Sequence, residues 1–364
     1  MRERYDIAVV GAGMAGASLA AELAGHASVL LLEAEDQPGY HATGRSAAFW
    51  SESYGGPGIQ PLTTASGSFL RTGGFLKPRG ALHIARNEGL QKLDGMRQSF
   101  GDRVVLDLAR REALAARIPG LRPGWDWGLS EPSCSDIDVA ALHAHYLGEG
   151  RRLGVRLERR ARLTGAAPSP GGWRLETEAG TAEAGILVDA AGAWADAVAA
   201  LAGARPIGIQ PYRRTVAQLR VDPPAPADLP LVIDALEHFY FKPEAGGRIW
   251  LSPHDETAMD PCDCAPDELD LAIAIDRLEQ VVDWKVERVE HVWAGLRSFA
   301  PDRLPVYGFD PRVENFFWFA GQGGFGIQTA PAAAKIGAAL LLGREPDAMV
   351  RSIDAAVYSP ARFG

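Results

Sequence analysis

The segment Asp6 to Val10 (DIAVV) is a short, mostly apolar run that stops at a glycine, the pattern of a strand buried on both faces. Met14 to Leu23 has helical composition and spacing, and Ser28 to Leu32 is a second apolar run, so the chain opens as a βαβ unit. Gln37 to Pro61 is rich in Gly, Ser and Tyr without a period; this predicts a long loop with a short helix from Ser46. Further on, Asp138 to Leu153 reads as an amphipathic helix, and Gly185 to Asp189 as an apolar strand closed by Ala190, Ala191 and Gly192. Between them, Leu157 to Thr164 and Trp173 to Thr177 read as strands, turned at Pro168 to Gly172. Pro206 to Ala300 is β-rich, with an acidic helix from about Pro266 to Trp284. A last strand, Phe316 to Ala320, leads through a glycine-rich stretch to a helix from Ala330 to Leu342. The pattern predicts an α/β fold with an α+β, β-rich second part.

Composition narrows the possibilities. A chain of 364 residues suits two interleaved domains. A net charge of -9 gives no basic surface for nucleic acid. The longest late apolar stretch, Ile336 to Leu342, is too short to span a bilayer, and the start reads as neither a signal peptide nor a spanning helix. Three cysteines, Cys134, Cys262 and Cys264, are too few for a disulfide framework; a cytoplasmic location is expected. Cys262 and Cys264 stand one residue apart, outside the usual zinc spacing, so no metal is expected.

Gly11-Ala12-Gly13-Met14-Ala15-Gly16 matches GxGxxG between a strand and a helix. The first glycine permits the turn, the second admits a pyrophosphate to the backbone, and the third lets helix and strand pack closely, with the phosphates at the helix N-terminus. Glu33, followed by Ala34, closes the second strand, where a carboxylate can accept from ribose hydroxyls. The fingerprint is common to NAD and FAD. Thr43, Arg45 and Ser46 offer further donors, and Gly44 and Ala47 let the backbone come close to a ring system.

The run Tyr40-His41-Ala42-Thr43-Gly44-Arg45-Ser46-Ala47-Ala48 resembles a motif of the D-amino acid oxidase and dehydrogenase family. Asp136-Ile137-Asp138, Val188 to Trp194, Trp293 to Phe299 and Gly321 to Gln328 extend the resemblance along nearly the whole chain, in an order most similar to bacterial D-arginine dehydrogenase. It implies non-covalent FAD, since no cysteine follows Cys264 to carry the late covalent attachment of some members. It also implies a Rossmann-type FAD domain of segments 1–70, 136–206 and 314–364, with a substrate domain of segments 71–135 and 207–313. Ala191, Gly192 and Trp194 would border the cofactor. Gly321, Gly323, Gly324, Phe325, Gly326, Ile327 and Gln328 would run along the flavin, unless they form only a helix-entry loop.

Carried over by position, Arg214 and Arg297 would clamp a substrate carboxylate, Arg297 also meeting the cofactor, while Tyr54 and Tyr240 would close the pocket. An internal ion pair for Arg297 and plain aromatic packing for the tyrosines are the structural alternatives. Phe49 replaces a histidine of the arginine-specific relative, and Pro78 to Leu82 lacks its acid, so a neutral or apolar D-amino acid is the expected substrate. The electron acceptor could be a quinone, an electron carrier or O2. The alternatives are a glycine or sarcosine type amine oxidase, a 2-hydroxy acid dehydrogenase, or a flavin-bound partner protein without turnover. His41 and His83 read as surface or capping residues, and His143 and His145 as helix residues without a nameable partner.

Overall fold

The computed structural model describes residues 4–364; the first three residues of the charged start lie outside the described residues. The strand Arg4–Val10 sits between Val29–Leu32 and Gly180–Asp189, parallel to both. Phe316–Ala320 adds in parallel on the far side of Gly180–Asp189, and Val306–Phe309 pairs with it. With Arg156–Glu158, Leu163–Ser169 and Gly172–Thr177 these strands make an eight-stranded sheet. The helices Met14–Leu23 and Gly326–Leu342 pack on one face of it, where Leu19, Leu23, Ile336 and Phe319 share a core.

A ten-stranded sheet carries the other half of the molecule. Its spine is the antiparallel pair Gln210–Asp222 and Lys285–Phe299. Residues 71–135, for which the pattern predicts no elements, supply Ala81–Ala85, Asp107–Arg110 and Trp127–Glu131 to this sheet. Helix Glu268–Val281, begun by Asp267 accepting from Leu269 and Asp270 amides, covers its core. Val306–Phe309 was expected in the second unit but pairs with Phe316–Ala320, because its apolar residues fit the first sheet's core.

Three other expectations are corrected. No helix starts at Ser46: Phe49–Trp50 pairs with Asp136 and Ser135, and the helix begins at Gln60. The expected strand Leu157 to Thr164 is two, because Arg160 turns with φ 54 and Ala161 donates to the Glu33 carbonyl before Leu163–Ser169 begins. The last helix begins at Gly326, a turn before Ala330, and contains Pro331. The amide of Ala332 there donates to Ser66 Oγ of the neighbouring helix, which softens the break in the backbone ladder. Among the described residues no helix is long and apolar enough to cross a membrane.

The two halves are tied by Asp136. It stands in a three-stranded sheet with Phe49–Trp50 and Leu76–Pro78 and receives Arg79 Nη2 at 2.6 Å and Lys242 Nζ at 2.8 Å. Burial alone would raise its pKa, but Lys242 and Arg79 outweigh burial and hold the carboxyl below the usual range. Its contribution is therefore complete above the ordinary aspartate range and is lost as pH falls through the depressed value. Asp136→Asn should lower stability at neutral pH by about 3–5 kcal/mol, since two enclosed cations lose their anion. Urea unfolding at several pH values should show the gap closing in acid; a constant gap contradicts this role.

Candidate functional site

The parallel strands Arg4–Val10, Gly180–Asp189 and Phe316–Ala320 end at one edge of their sheet, and the glycine-bearing loops that follow each of them border a single cavity of about 830 Å³. Gly16 packs so tightly that a Cβ there would lie 1.8 Å from the Gly11 carbonyl oxygen. Gly11, Gly13, Met14 and Ala15 line the cavity; Ala12 and Gly16 stand behind it as support. Helix Met14–Leu23 has no side-chain N-cap bond and no acid in its first turn. The same is true of helix Gly326–Leu342, which starts at the other side of the cavity. Open helix amides with positive dipole ends fit a pyrophosphate at the first site and an electron-rich ring edge at the second.

Glu33 accepts from the Ala12 amide at 3.0 Å and from the Glu35 amide at 2.9 Å, holding loop and strand end together beside Ala34. Thr43 Oγ1 accepts from the Met14 amide at 2.9 Å and so folds its loop over the helix start. Gly44 lies under the same loop, donating to the Gly39 carbonyl, while Ser46 and Ala47 face the cavity. Arg45 lines the cavity and also ties its loop to the second sheet. Its Nη2 meets Asp263 at 2.5 Å, its Nη1 donates to the Cys264 and Ala294 carbonyls, and its Nε to Tyr40 O. It locks the loop to the second sheet.

Ala191, Gly192 and Trp194 line the cavity, with Trp194 4.6 Å from the His41 ring. Asp189, just before them, is buried and holds this turn by accepting from the Ala191 amide; burial pushes its pKa well above the ordinary carboxylate range. Gly321 falls behind the cavity wall, whereas Gly323 to Gln328 line it. Gln328 is saturated: it accepts from the Ser51 amide and donates to Tyr54 O and Thr63 Oγ1. It therefore fixes the Tyr54 loop onto the last helix.

The second sheet roofs the cavity with arginines. Tyr212 pairs with Arg297 and Arg214 with Gly295, so strand alternation puts Arg214 and Arg297 on one face and sends Arg213 to the other, against Asp255 and Asp270. Arg297 Nη1 donates to Tyr54 Oη at 2.9 Å. A Cβ on Gly324 would lie 2.4 Å from that hydroxyl, so only glycine admits the pair. Arg214 and Arg297 each keep a buried Nε with no hydrogen-bond acceptor. Burial raises the pKa of Tyr54 and pushes that of Tyr240 up to about 12, so both remain hydroxyl donors. The aromatic wall is continuous, Phe49 lying 5.1 Å from Tyr54 and 6.0 Å from Tyr240.

Sequence reasoning passed over three residues. Glu256 Oε1 takes Arg297 Nη2 at 2.6 Å and Arg303 Nη2 at 2.9 Å and lies 3.5 Å from Arg214 Nη2, occupying guanidinium faces that an incoming anion would use. His143, whose pKa burial lowers, donates from Nε2 to the Ala12 carbonyl at 2.9 Å and braces the glycine loop. His83 is buried at the cavity wall, not a surface residue. Only the helical spacing of His143 pointed inward; Glu256 and His83 carried no motif.

The model of the family described as FAD dependent oxidoreductase matches residues 6–340. The chain is 28% identical over 198 residues to the mouse (Mus musculus) FAD-dependent oxidoreductase domain-containing protein 1, covering 50% of this chain but only 39% of that relative's length. Glycine oxidase of Bacillus licheniformis is 24% identical over 367 residues, 94% of each chain. The crystal structure of glycine oxidase from Geobacillus kaustophilus matches with a TM-score of 0.87 and 22% identity, over 100% of this chain and 99% of that one, a likeness of fold. The cofactor is FAD, and the open helix amides and glycine loop fit it. A Cβ at Gly13 would touch only Thr43 Oγ1, at 3.2 Å. Gly13→Val should therefore fold, with a far-UV spectrum like the parent's, yet emerge without visible flavin absorbance. A variant as yellow as the parent would show that the phosphates lie elsewhere.

Proposed function

We propose, for a chain that belongs to the FAD-dependent oxidoreductases, that this cavity oxidises the Cα–N bond of a small amino acid, most readily a D-amino acid with an uncharged side chain. Bound FAD supplies a two-electron acceptor for the Cα hydride, leaving an imine that water hydrolyses to the oxo acid and ammonia. The observation that carries the reading is the pair Arg214 and Arg297, brought by strand register to one face and both lining the cavity. A planar guanidinium holds a carboxylate through parallel bonds, and two of them fix the position of the carbon next to it. Tyr54 fixes the orientation of Arg297, and Tyr240 closes the wall beside Phe49. None of these groups has to act as a strong base, since a neutral amine carries the lone pair that drives hydride loss.

The side-chain wall supports an uncharged substrate. Phe49, Val216 and Ile233 are apolar, Glu256 is engaged by arginines, and Asp234 by His238 and turn amides. Glu237 also lines the cavity, but its side chain is exposed, so it offers a cationic side chain a solvated contact rather than an enclosed anchor. The relative named glycine oxidase favours a second reading on the same clamp, glycine or an N-substituted glycine. The electron acceptor, whether quinone, carrier protein or O2, leaves no mark in this cavity.

An anaerobic screen of D and L pairs, N-methyl amino acids and hydroxy acids, followed by bleaching of the flavin, separates these readings. Neutral D-amino acids should bleach it fastest; faster bleaching by D-arginine or D-lysine overturns the substrate class. Arg297→Ala should lose about 2–5 kcal/mol in kcat/KM, from leaving a buried carboxylate unpaired. Wild-type turnover in that variant would remove Arg297 from the clamp. Glu256→Gln should lower KM, because the internal competitor for the guanidiniums is gone; a raised KM would make Glu256 part of the binding site instead.

A further inference from the structure

The strand Ala81–Ala85 alternates: Leu82 and Ile84 enter the core of the second sheet, and His83 points to the other face, which borders the cavity. Behind His83 stands Glu131, with no exposure at all. Its carboxylate receives Ser51 Oγ at 2.9 Å, Ser53 Oγ at 2.5 Å, the Glu52 amide at 2.7 Å and the Ser53 amide at 3.4 Å. His83 Nε2 lies 3.8 Å from Glu131 Oε2 and 3.5 Å from Ser53 Oγ. Among the described residues Nδ1 meets no protein partner, and it is not one of the buried polar atoms, so it opens to the cavity.

Hydride removal does not use this pair. Ser53 adjoins Tyr54, which bonds to Arg297, so the histidine and the guanidiniums share one chamber. Phe49, Val216 and Ile233 make the wall beside it apolar. His83 thus adds a ring nitrogen to the stretch of wall formed by these apolar side chains.

We propose that His83, held by Glu131, selects substrates whose side chain bears a hydroxyl or amide. This rests on the carboxylate clamp described above. The imidazole and its buried carboxylate carry a net charge of zero or minus one, which offers no attraction to a second carboxylate. With Nε2–H donated to Ser53 Oγ, whose own hydroxyl donates to Glu131, Nδ1 accepts; with both nitrogens protonated, it donates. A hydroxyl or amide meets either state. An apolar isostere leaves the ring nitrogen unpaired in an enclosed site, and a site built around a hydrogen bond rejects the analogue lacking it. Glu131 acts through His83 and is a positioning residue.

The test uses the FAD holoenzyme and isosteric pairs. Turnover of D-asparagine is compared with D-leucine, and binding of succinamate with isocaproate, their deaminated counterparts, by perturbation of the flavin spectrum. The parent should favour the amide member about tenfold in both. His83→Leu should abolish the preference, and His83→Gln should restore part of it; Glu131→Gln, should His83→Leu not fold, should weaken it. Equal affinity for both members in the parent, or a preference that survives His83→Leu, overturns the proposal. If neither amino acid is oxidised but the binding preference holds and depends on His83, the amino acid reading fails and the His83 site stands. If both are oxidised without preference, only the His83 site fails.

Discussion

Two helices, Met14–Leu23 and Gly326–Leu342, begin at one cavity with no side chain capping their first turns apart from Thr43 on the Met14 amide, and the molecule is arranged around the amides left open. An uncapped helix start inside a protein is costly unless an acceptor fills it. The parallel pairing of Arg4–Val10, Gly180–Asp189 and Phe316–Ala320 makes the convergence unavoidable, because three strands running one way finish at one edge. Ligands of such sheets sit outside the carboxyl ends of the strands. The glycines there keep the backbone low, and Glu33, Thr43 and His143 brace it from the sides.

The second sheet answers the same demand with side chains. Antiparallel register brings Arg214 and Arg297 onto one face above the cavity, and the close approach of Gly324 leaves room for Tyr54 to orient Arg297. In this structure Glu256 covers part of that positive face. The cavity therefore presents open helix amides to a dinucleotide from below and two guanidiniums from above, with aromatic side chains between. Asp136, linking Arg79 and Lys242, joins the loop layer to the arginine-bearing sheet and keeps these two surfaces in register.

The sequence was most legible where local rules and tertiary demand agreed. The opening βαβ unit, the strand Phe316–Ala320 and helix Val139–Arg152 with its Asp138 cap lie where apolar period and capping chemistry place them. Legibility failed where distant segments decide the outcome. The loop after Ser46 is strand because it pairs with Asp136 and Ser135 far along the chain, and its amides are collected by Glu131. The motif marked Arg45 as a donor, but only the fold shows Asp263 beside it. His83 and Glu256 belong to no local pattern, so their approach to the cavity depends wholly on strand register and loop placement.

On the proposed function, Arg214 and Arg297 form an anion seat beside the flavin. Its most direct measurement is a titration of the oxidised holoenzyme with an unreactive carboxylate and with its amide of the same shape, acetate against acetamide, read in the flavin's visible spectrum. Saturable perturbation by the carboxylate and none by the amide is the result predicted. Equal responses to the two, or no response to either, would contradict the claim.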